Sequence, residues 1–369
     1  MTATTDDDDR RFMALALALG RRGRGNTWPN PAVGAVVVRR DGVIVGRGWT
    51  QPGGRPHAET EALRRAGEAA RGATLYVTLE PCAHHGRTRP CTDAVVAAGI
   101  ARVVTALEDP NAVAAGGHAV LRARGVAVTV GVGAEEARRD HLGHLLRVRD
   151  GRPRVFLKLA VSADGKAALA GRRPAAITSE AARTRVHLMR AENDAVVTGI
   201  GTVLADDPRL TCRLPGMAAR SPVRVVLDPG LDLPATAALV MSARETPVWV
   251  MTSAAAPVAA ERVLEDHGVA VVRVAGSSDR LDLGTILGRL AGRGVTRAMI
   301  EAGPRVAAAF VAADLVDTAA LLRGPGTIGA DGIDALEGMA LDALTASRHL
   351  RLTGVEAAGA DTIEWFARP

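Results

Sequence analysis

Short apolar runs alternate with amphipathic stretches along this chain. An apolar run bounded by Gly, Pro, Asn or Asp reads as a buried strand, and apolar residues recurring every third or fourth position read as a helix. The first part then holds strands near 32–38, 43–49, 73–79, 101–107 and 126–131. The first two are joined through Asp41-Gly42, a hairpin turn signal. Helices fit near 10–21, 57–66, 91–98 and 117–124, with Asp9 as the first cap after a frayed acidic tail. This predicts a five-stranded sheet with helices on its faces.

The polar stretch 147–154, with Gly151 and Pro153, is the expected linker. The chain divides into a first domain over 1–148, a linker over 149–154 and a second domain over 155–369. Strands in the second part fit near 155–161, 194–199, 223–228, 247–252, 269–274, 296–301 and 316–322, with 350–367 reading as a hairpin. Helices fit at 180–191, 257–267, 282–292 and 304–313. The alternation is that of an α/β protein.

Composition narrows the function classes. With 369 residues, 47% hydrophobic and 23% charged, the chain is a globular protein long enough for two or three cores. No apolar run is long enough to span a bilayer, so no membrane partner is expected. Asp6 to Asp9 precede the apolar run Phe12 to Leu19, where a secretory leader needs positive charge. The net charge is +6, and all 46 basic residues are arginine except Lys158 and Lys166. The arginines are scattered, and only 2% of residues are aromatic, so few platforms exist for stacking bases and no nucleic acid is expected. Three cysteines make no even disulfide framework and point to a reducing, cytoplasmic setting.

Chemistry concentrates in His57-Ala58-Glu59, Pro81-Cys82 and Cys91. One imidazole and two thiols suit Zn²⁺, and three protein ligands leave the fourth tetrahedral position to water, as in a catalytic site. Zinc lowers the pKa of that water towards neutrality. Glu59 is then a free carboxylate able to carry a proton to a leaving amine. It converges on the site with His57 if His57 sits at the helix start, because positions i and i+2 of a helix do not face each other. Cys82 and Cys91 are each expected near the start of a helical turn, which favours thiolate. His84 and His85 are rival ligands. The bland reading is a cap histidine with two buried thiols.

The order of these residues resembles that of zinc nucleobase deaminases, although eight residues separate the cysteines here. The segment from Pro81 to Cys91, the loop Gly53-Gly54-Arg55-Pro56-His57-Ala58-Glu59, Pro29-Asn30-Pro31-Ala32-Val33-Gly34 and Val77-Thr78-Leu79-Glu80-Pro81-Cys82 resemble the bifunctional deaminase–reductases of riboflavin biosynthesis. The resemblance extends through Leu157-Lys158, Ser162-Ala163-Asp164-Gly165-Lys166, Leu188-Met189-Arg190-Ala191, Gly201-Thr202-Val203-Leu204-Ala205-Asp206-Asp207-Pro208 and Leu210-Thr211-Cys212-Arg213.

The resemblance implies a cytidine-deaminase-like three-layer domain followed by a dihydrofolate-reductase-like α/β domain. It implies Zn²⁺ and NADPH, and a small phosphorylated pyrimidine as substrate. A diaminopyrimidinone ribose 5-phosphate would be deaminated, and its ribosyl group then reduced to ribityl. Asn30, His84 and Arg87 would contact the first substrate. Lys158, Arg190, Leu210, Arg213 and Glu301 would contact the second. Ala160, Thr202, Asp206, Gly303, Pro304, Arg305, Val306, Ala307, Ala308 and Ala309 would line NADPH. A homo-oligomer is also expected.

From the residues alone, Gly199-Ile200-Gly201-Thr202 and Glu301-Ala302-Gly303-Pro304 are strand-to-helix turns whose N–H groups suit phosphate. The two lysines, clustered within nine residues, mark a need for a compact charge, and Lys158 is placed mid-strand. The chain departs from the family at Thr50, Arg89, Pro174, Ala176 and Pro229. The last three bear on the reductase half, so the alternative is a zinc deaminase with an impaired reductase. A nucleic-acid deaminase and a non-catalytic zinc module are the remaining rivals.

Overall fold

The run Gly-Ala-Val-Val-Val forms strand β1 (Gly34–Val38), and all five residues are buried. A strand without an exposed face needs cover on both sides. In the computed structural model, which describes residues 6–86, 89–274 and 280–369, that cover comes from α1 (Asp6–Arg21) and α2 (Ala58–Ala66). β1 pairs antiparallel with β2 (Ile44–Trp49), with Ala35 opposite Gly48 and Val37 opposite Gly46. On this face α2 lies so close that a Cβ on Gly46 or Gly48 would sit 2.2 or 2.3 Å from the Ala62 or Ala58 carbonyl oxygen. On the other face, a Cβ on Gly34 would fall 1.8 Å from the Ala16 oxygen of α1. Missing side chains therefore set the depth of both helices.

The sheet continues through β3 (Thr74–Val77), α3 (Cys91–Ala97), β4 (Arg102–Thr105), α4 (Gly117–Ala123) and β5 (Ala127–Val130), in the order β2-β1-β3-β4-β5. β3, β4 and β5 are parallel. Two helices absent from the sequence reading follow, α5 (Ala134–Asp140) and α6 (Leu142–Asp150). α6 runs into the stretch expected as linker and ends at Gly151, whose φ of 66° suits glycine. The fold comprises two compact units, Met1–Arg152 and Pro153–Pro369.

One expectation is corrected at the start. Asp9 does not cap α1, because the helix already begins at Asp6. Asp9 is buried, accepts a hydrogen bond from the Tyr76 hydroxyl at 2.8 Å and pairs with Arg102 at 2.6 Å. A carboxylate facing a phenol and a guanidinium is more stable inside than as a cap.

In the second unit the elements are β6 (Arg154–Val161), β7 (Lys166–Ala168), α7 (Glu180–Ala191), β8 (Ala195–Gly199), α8 (Ile200–Asp206), β9 (Val223–Leu227), α9 (Ala238–Met241), β10 (Val248–Ser253), α10 (Val258–Asp266), β11 (Ala270–Val274), α11 (Leu283–Gly292), β12 (Arg297–Ile300), α12 (Pro304–Ala312), β13 (Thr318–Arg323), β14 (Ile333–Asp334), β15 (Arg351–Ala358) and β16 (Asp361–Ala367). A nine-stranded sheet has the order β11-β10-β9-β8-β12-β6-β13-β16-β15. Its strands are parallel from β11 to β13, and β16 and β15 close it as the expected antiparallel hairpin. The chain moves outward from β8 to β11, then returns to place β12 between β8 and β6. Such a reversal opens a crevice at the carboxyl ends of the central strands. Lys158, Thr202 and Glu301 lie in or just after β6, β8 and β12.

The glycine notch gives a first test. Gly48→Ala is expected to lower the unfolding free energy by about 1–3 kcal/mol, the usual cost of an overpacked core. Because α2 begins beside His57, it is also expected to reduce metal retention, read by urea unfolding and metal content.

Candidate functional site

His57 stands at the N-cap of α2 in extended conformation (φ −69°, ψ 160°), so its imidazole leaves the helix sideways. Cys91 is the first residue of α3. Cys82 departs from expectation: it lies in an irregular segment after β3, not in a helical turn. Its sulfur accepts the Cys91 backbone N–H at 3.4 Å. The Nδ1 of His57 lies 3.3 Å from the Cys91 sulfur and 3.8 Å from that of Cys82. One donor atom from each of the three residues lies within 4.8 Å of the others. A tetrahedral zinc with the usual bond lengths spaces its ligands about 3.6 Å apart. The donor types, and the two histidine–sulfur spacings, therefore fit Zn²⁺.

The electrostatics agree. A hydrogen bond from Cys91, aided by one from His57, brings the Cys82 thiol down to about 4. Cys91 is pushed up, first by its hydrogen bond to that thiolate and then by burial. Glu59 is 4% exposed. Burial pushes its carboxyl up, opposed by His57. It also shares a side-chain hydrogen bond with Cys91. The convergence of Glu59 with His57 follows from His57 lying just outside the helix.

Around this centre, the Asn30 amide donates to the Gly54 carbonyl at 2.9 Å and lies 3.4 Å from Nε2 of His57. Gly54 has φ +85°, and a Cβ there would meet the Asn30 amide at 2.7 Å. His84 is half-buried, and its Nδ1 has no hydrogen-bond partner among the described residues. His85 is exposed, 3.9 Å from Asp93, and outside the ligand cluster. Arg87 lies outside the described residues. Thr50 is buried, and its hydroxyl accepts the Val33 N–H at 3.0 Å, so this departure serves the fold.

The second unit gathers a triad whose side chains are each only 12–14% exposed. Arg190 of α7 donates from Nε and Nη2 to the two oxygens of Glu301, each at 2.8 Å. Lys158 Nζ lies 3.7 Å from the same carboxylate. Burial alone would raise the Glu301 carboxyl, but the charges of Arg190 and Lys158 prevail and hold it at about 2. Burial pushes Lys158 down, and Arg190 adds to this. Lys166, the other lysine, pairs with Asp334 at 2.7 Å across the β7–β14 ladder and lies outside the triad.

Leu210 is buried with φ +53°, a backbone conformation that a branched residue rarely adopts. Next to it, the Thr211 carbonyl accepts from Arg190 at 3.1 Å, and His187 Nδ1 lies 3.0 Å away. Sequence reasoning missed His187, although it precedes Arg190 by three residues on one helix face. Its Nδ1 also accepts the Arg213 N–H at 3.3 Å.

The two expected turns meet. Gly303, the N-cap of α12, donates its N–H to the Thr202 hydroxyl of α8 at 3.0 Å. A Cβ on Gly199 would press on Val306 at 2.9 Å. Two adjoining helix starts thus face the crevice, a setting suited to phosphate. Ala307 and Ala308 of α12 are buried, whereas Asp206 and Arg305 are exposed and Ala160 is half-buried. Pro174 and Ala176 are exposed, and Pro229 is half-buried.

Comparison with known proteins gives this geometry a family. The RibD C-terminal domain matches residues 153–363, and the cytidine and deoxycytidylate deaminase zinc-binding region matches residues 6–107. The chain is 40% identical to the riboflavin biosynthesis protein RibD of Aquifex aeolicus over 361 residues, 98% of each chain. It is 41% identical to RibD of Escherichia coli over 350 residues, covering 90% of this chain and 92% of that one. The chain belongs to the RibD family. Among solved RibD structures, that of Acinetobacter baumannii matches with a TM-score of 0.87 at 36% identity, over 99% of this chain and 100% of that one. The Thermotoga maritima diaminohydroxyphosphoribosylaminopyrimidine deaminase/5-amino-6-(5-phosphoribosylamino)uracil reductase matches with a TM-score of 0.85 at 34% identity, over 99% of each chain. The RibD fold expected from the sequence, a cytidine-deaminase-like domain followed by a reductase domain, is the fold observed.

The triad predicts a pH signature. Glu301 has a carboxyl below its ordinary 4.5, at about 2. Its stabilisation is complete above the unfolded value and disappears as pH falls through about 2, a total of about 3 kcal/mol. Glu301→Gln is expected to destabilise the second unit by a similar amount at pH 7, because two buried cations lose their counter-charge. The gap between variant and parent in urea midpoint is expected to narrow at pH 3.

Proposed function

We propose that this chain catalyses two consecutive steps of riboflavin biosynthesis, deaminating a diaminopyrimidinone ribose 5-phosphate and then reducing its ribosyl group to ribityl. The observation that carries the first step is the His57–Cys82–Cys91 donor set beside the buried carboxyl of Glu59. Zinc, when bound there, supplies a water nucleophile active near neutral pH. Glu59 takes a proton from the attacking water on its carboxylate and returns it to the departing amine, so the ring loses ammonia and gains a carbonyl. Asn30 and His84 orient the pyrimidine, with Arg87 completing the contacts.

In the second step NADPH supplies the hydride. The protein aligns donor and acceptor. Thr202 and Gly303 form the floor of the cofactor site, with Ala160, Asp206 and the first turns of α12 (Pro304 to Ala309) around it. Lys158, Arg190, Arg213, Leu210 and Glu301 hold the sugar phosphate beside β6 and the end of β12. The intact triad and the joined helix starts argue against an impaired reductase.

The reading extends to a cytoplasmic homo-oligomer. Among the described residues no helix is long and apolar enough to cross a membrane.

Glu59→Gln separates the two chemistries. It is expected to lower deamination by about 10²–10⁴-fold while zinc content stays at the parental level. The same variant, given the deaminated intermediate and NADPH, is expected to consume nicotinamide absorbance at the parental rate. An unchanged deamination rate would remove Glu59 from its role, and no NADPH consumption by the parent would remove the reductase reading. Thr202→Val, which deletes the acceptor of the Gly303 N–H, is expected to raise the KM for NADPH several-fold without affecting deamination.

A further inference from the structure

Behind the metal site, the segment 80–83 is fixed by bonds that the catalytic roles above do not use. Glu80 is 8% exposed, and its carboxylate is engaged by backbone groups of a distant stretch of chain. One carboxylate oxygen accepts the backbone N–H of His118 at 2.8 Å, and the other accepts that of Asp109 at 3.1 Å. Both donors belong to the stretch that follows β4 and opens α4. The Ala83 N–H donates to the Ala114 carbonyl of the same stretch at 3.2 Å. Between these anchors, a Cβ on Gly117 would fall 1.9 Å from the Pro81 carbonyl oxygen, so the backbones touch.

The anchors are themselves held. Asp109 Oδ1 accepts the Asn111 N–H and lies against His144 Nε2, each at 2.9 Å. His118 Nε2 lies 3.0 Å from the Thr105 hydroxyl. All of these groups are buried except Asn111. A buried carboxylate bonded at both oxygens resists rotation. Cys82 follows two residues later on an irregular stretch with no helix or strand to hold it.

We propose that Glu80 is a positioning residue for the metal centre: by bridging the N–H groups of Asp109 and His118 it fixes the direction in which Cys82 presents its sulfur. This deepens the deaminase reading and rests on it. Groups of this kind, one layer behind the ligands, alter metal affinity by about 10–100-fold when changed.

The test uses the full-length protein loaded with Zn²⁺ or with Co²⁺, whose thiolate and ligand-field absorption reports ligand geometry. Glu80→Gln keeps the shape but sets an amide NH2 against a backbone N–H. Zinc is expected to be lost to a competing chelator at about 10–100-fold lower chelator concentration, and the cobalt bands to shift. Deaminase kcat is expected to fall with KM near the parental value. Gly117→Ala, which displaces the Pro81 carbonyl from the opposite side, is expected to move the same bands and serves if the first variant does not fold. A lower melting temperature with parental chelator resistance and parental cobalt bands would make Glu80 merely structural and overturn the proposal. A parent that binds neither metal would overturn the zinc reading itself, and this proposal with it.

Discussion

Three soft donors from three separate segments must be brought together before any metal arrives. The sulfurs of Cys82 and Cys91 and the Nδ1 of His57 lie within 4.8 Å of one another. Cys82 sits on an irregular stretch, while His57 and Cys91 stand at the starts of two different helices. The cluster therefore holds only because its three carriers are fixed independently. His57 is set by the depth of α2 on Gly46 and Gly48, Cys91 by the start of α3, and Cys82 by the segment pinned beneath it. Much of the first unit's architecture follows from the need to hold those carriers still.

The second unit meets a related difficulty with formal charge. Taking Glu301, Arg190 and Lys158 out of water costs several kcal/mol per ion unless each is paired. The two-pronged Arg190 contact offsets most of that cost for Glu301, while Lys158, farther away at 3.7 Å, is left the less satisfied partner. Both units place their chemistry at the carboxyl ends of parallel strands, where the polar ends of the chain emerge from an apolar sheet. In the first unit Cys82 follows β3, Cys91 opens α3 and His57 precedes α2. In the second Glu301 follows β12 and the helix starts follow β8 and β12, while Lys158 reaches Glu301 from within β6 and Arg190 from α7.

Legibility in the sequence tracked how local the cause was. The strands were readable because each is a short apolar run between turn residues, and the His57–Glu59 pairing because Pro56 marks a helix start. The burial of Asp9 was not readable, since its partners Tyr76 and Arg102 are far along the chain. Four aspartates in a row look like a solvated tail until a sheet residue claims one of them. The helices α5 and α6 were lost for another reason: α5 is short and mostly charged, and α6 is a nine-residue helix in which only Gly143, His144 and Leu146 are buried, so neither shows a clear apolar stripe. Cys82 read as helical because Cys91 is. The two ligands reach one point by different backbone routes, which spacing cannot distinguish. Of the triad, Lys158 stood out as a lysine placed mid-strand in an arginine-rich chain, whereas Arg190 and Glu301 were named from family resemblance. The geometry that joins Arg190 to Glu301 across 111 positions required the sheet order.

The charge arithmetic of the triad explains why this chain, which uses arginine almost everywhere, keeps lysine at position 158. Two cations and one anion leave a net charge of one positive unit, with Arg213 close enough to Arg190 to be pushed down after burial has done so. An anionic sugar phosphate entering this crevice would find the excess it needs, without a second guanidinium competing for both oxygens of Glu301. A guanidinium at 158 would do just that, because its planar fork seeks the same two-point contact that Arg190 already makes. An ammonium, compact and three-pronged, can leave Glu301 for a ligand oxygen at small geometric cost. The burial that pushes Lys158 down also makes the uncompensated ammonium costly. The arrival of a counter-charge is thereby favoured more than it would be at an exposed lysine. A lysine in the middle of β6 thus has a physical reason that an arginine there would not meet.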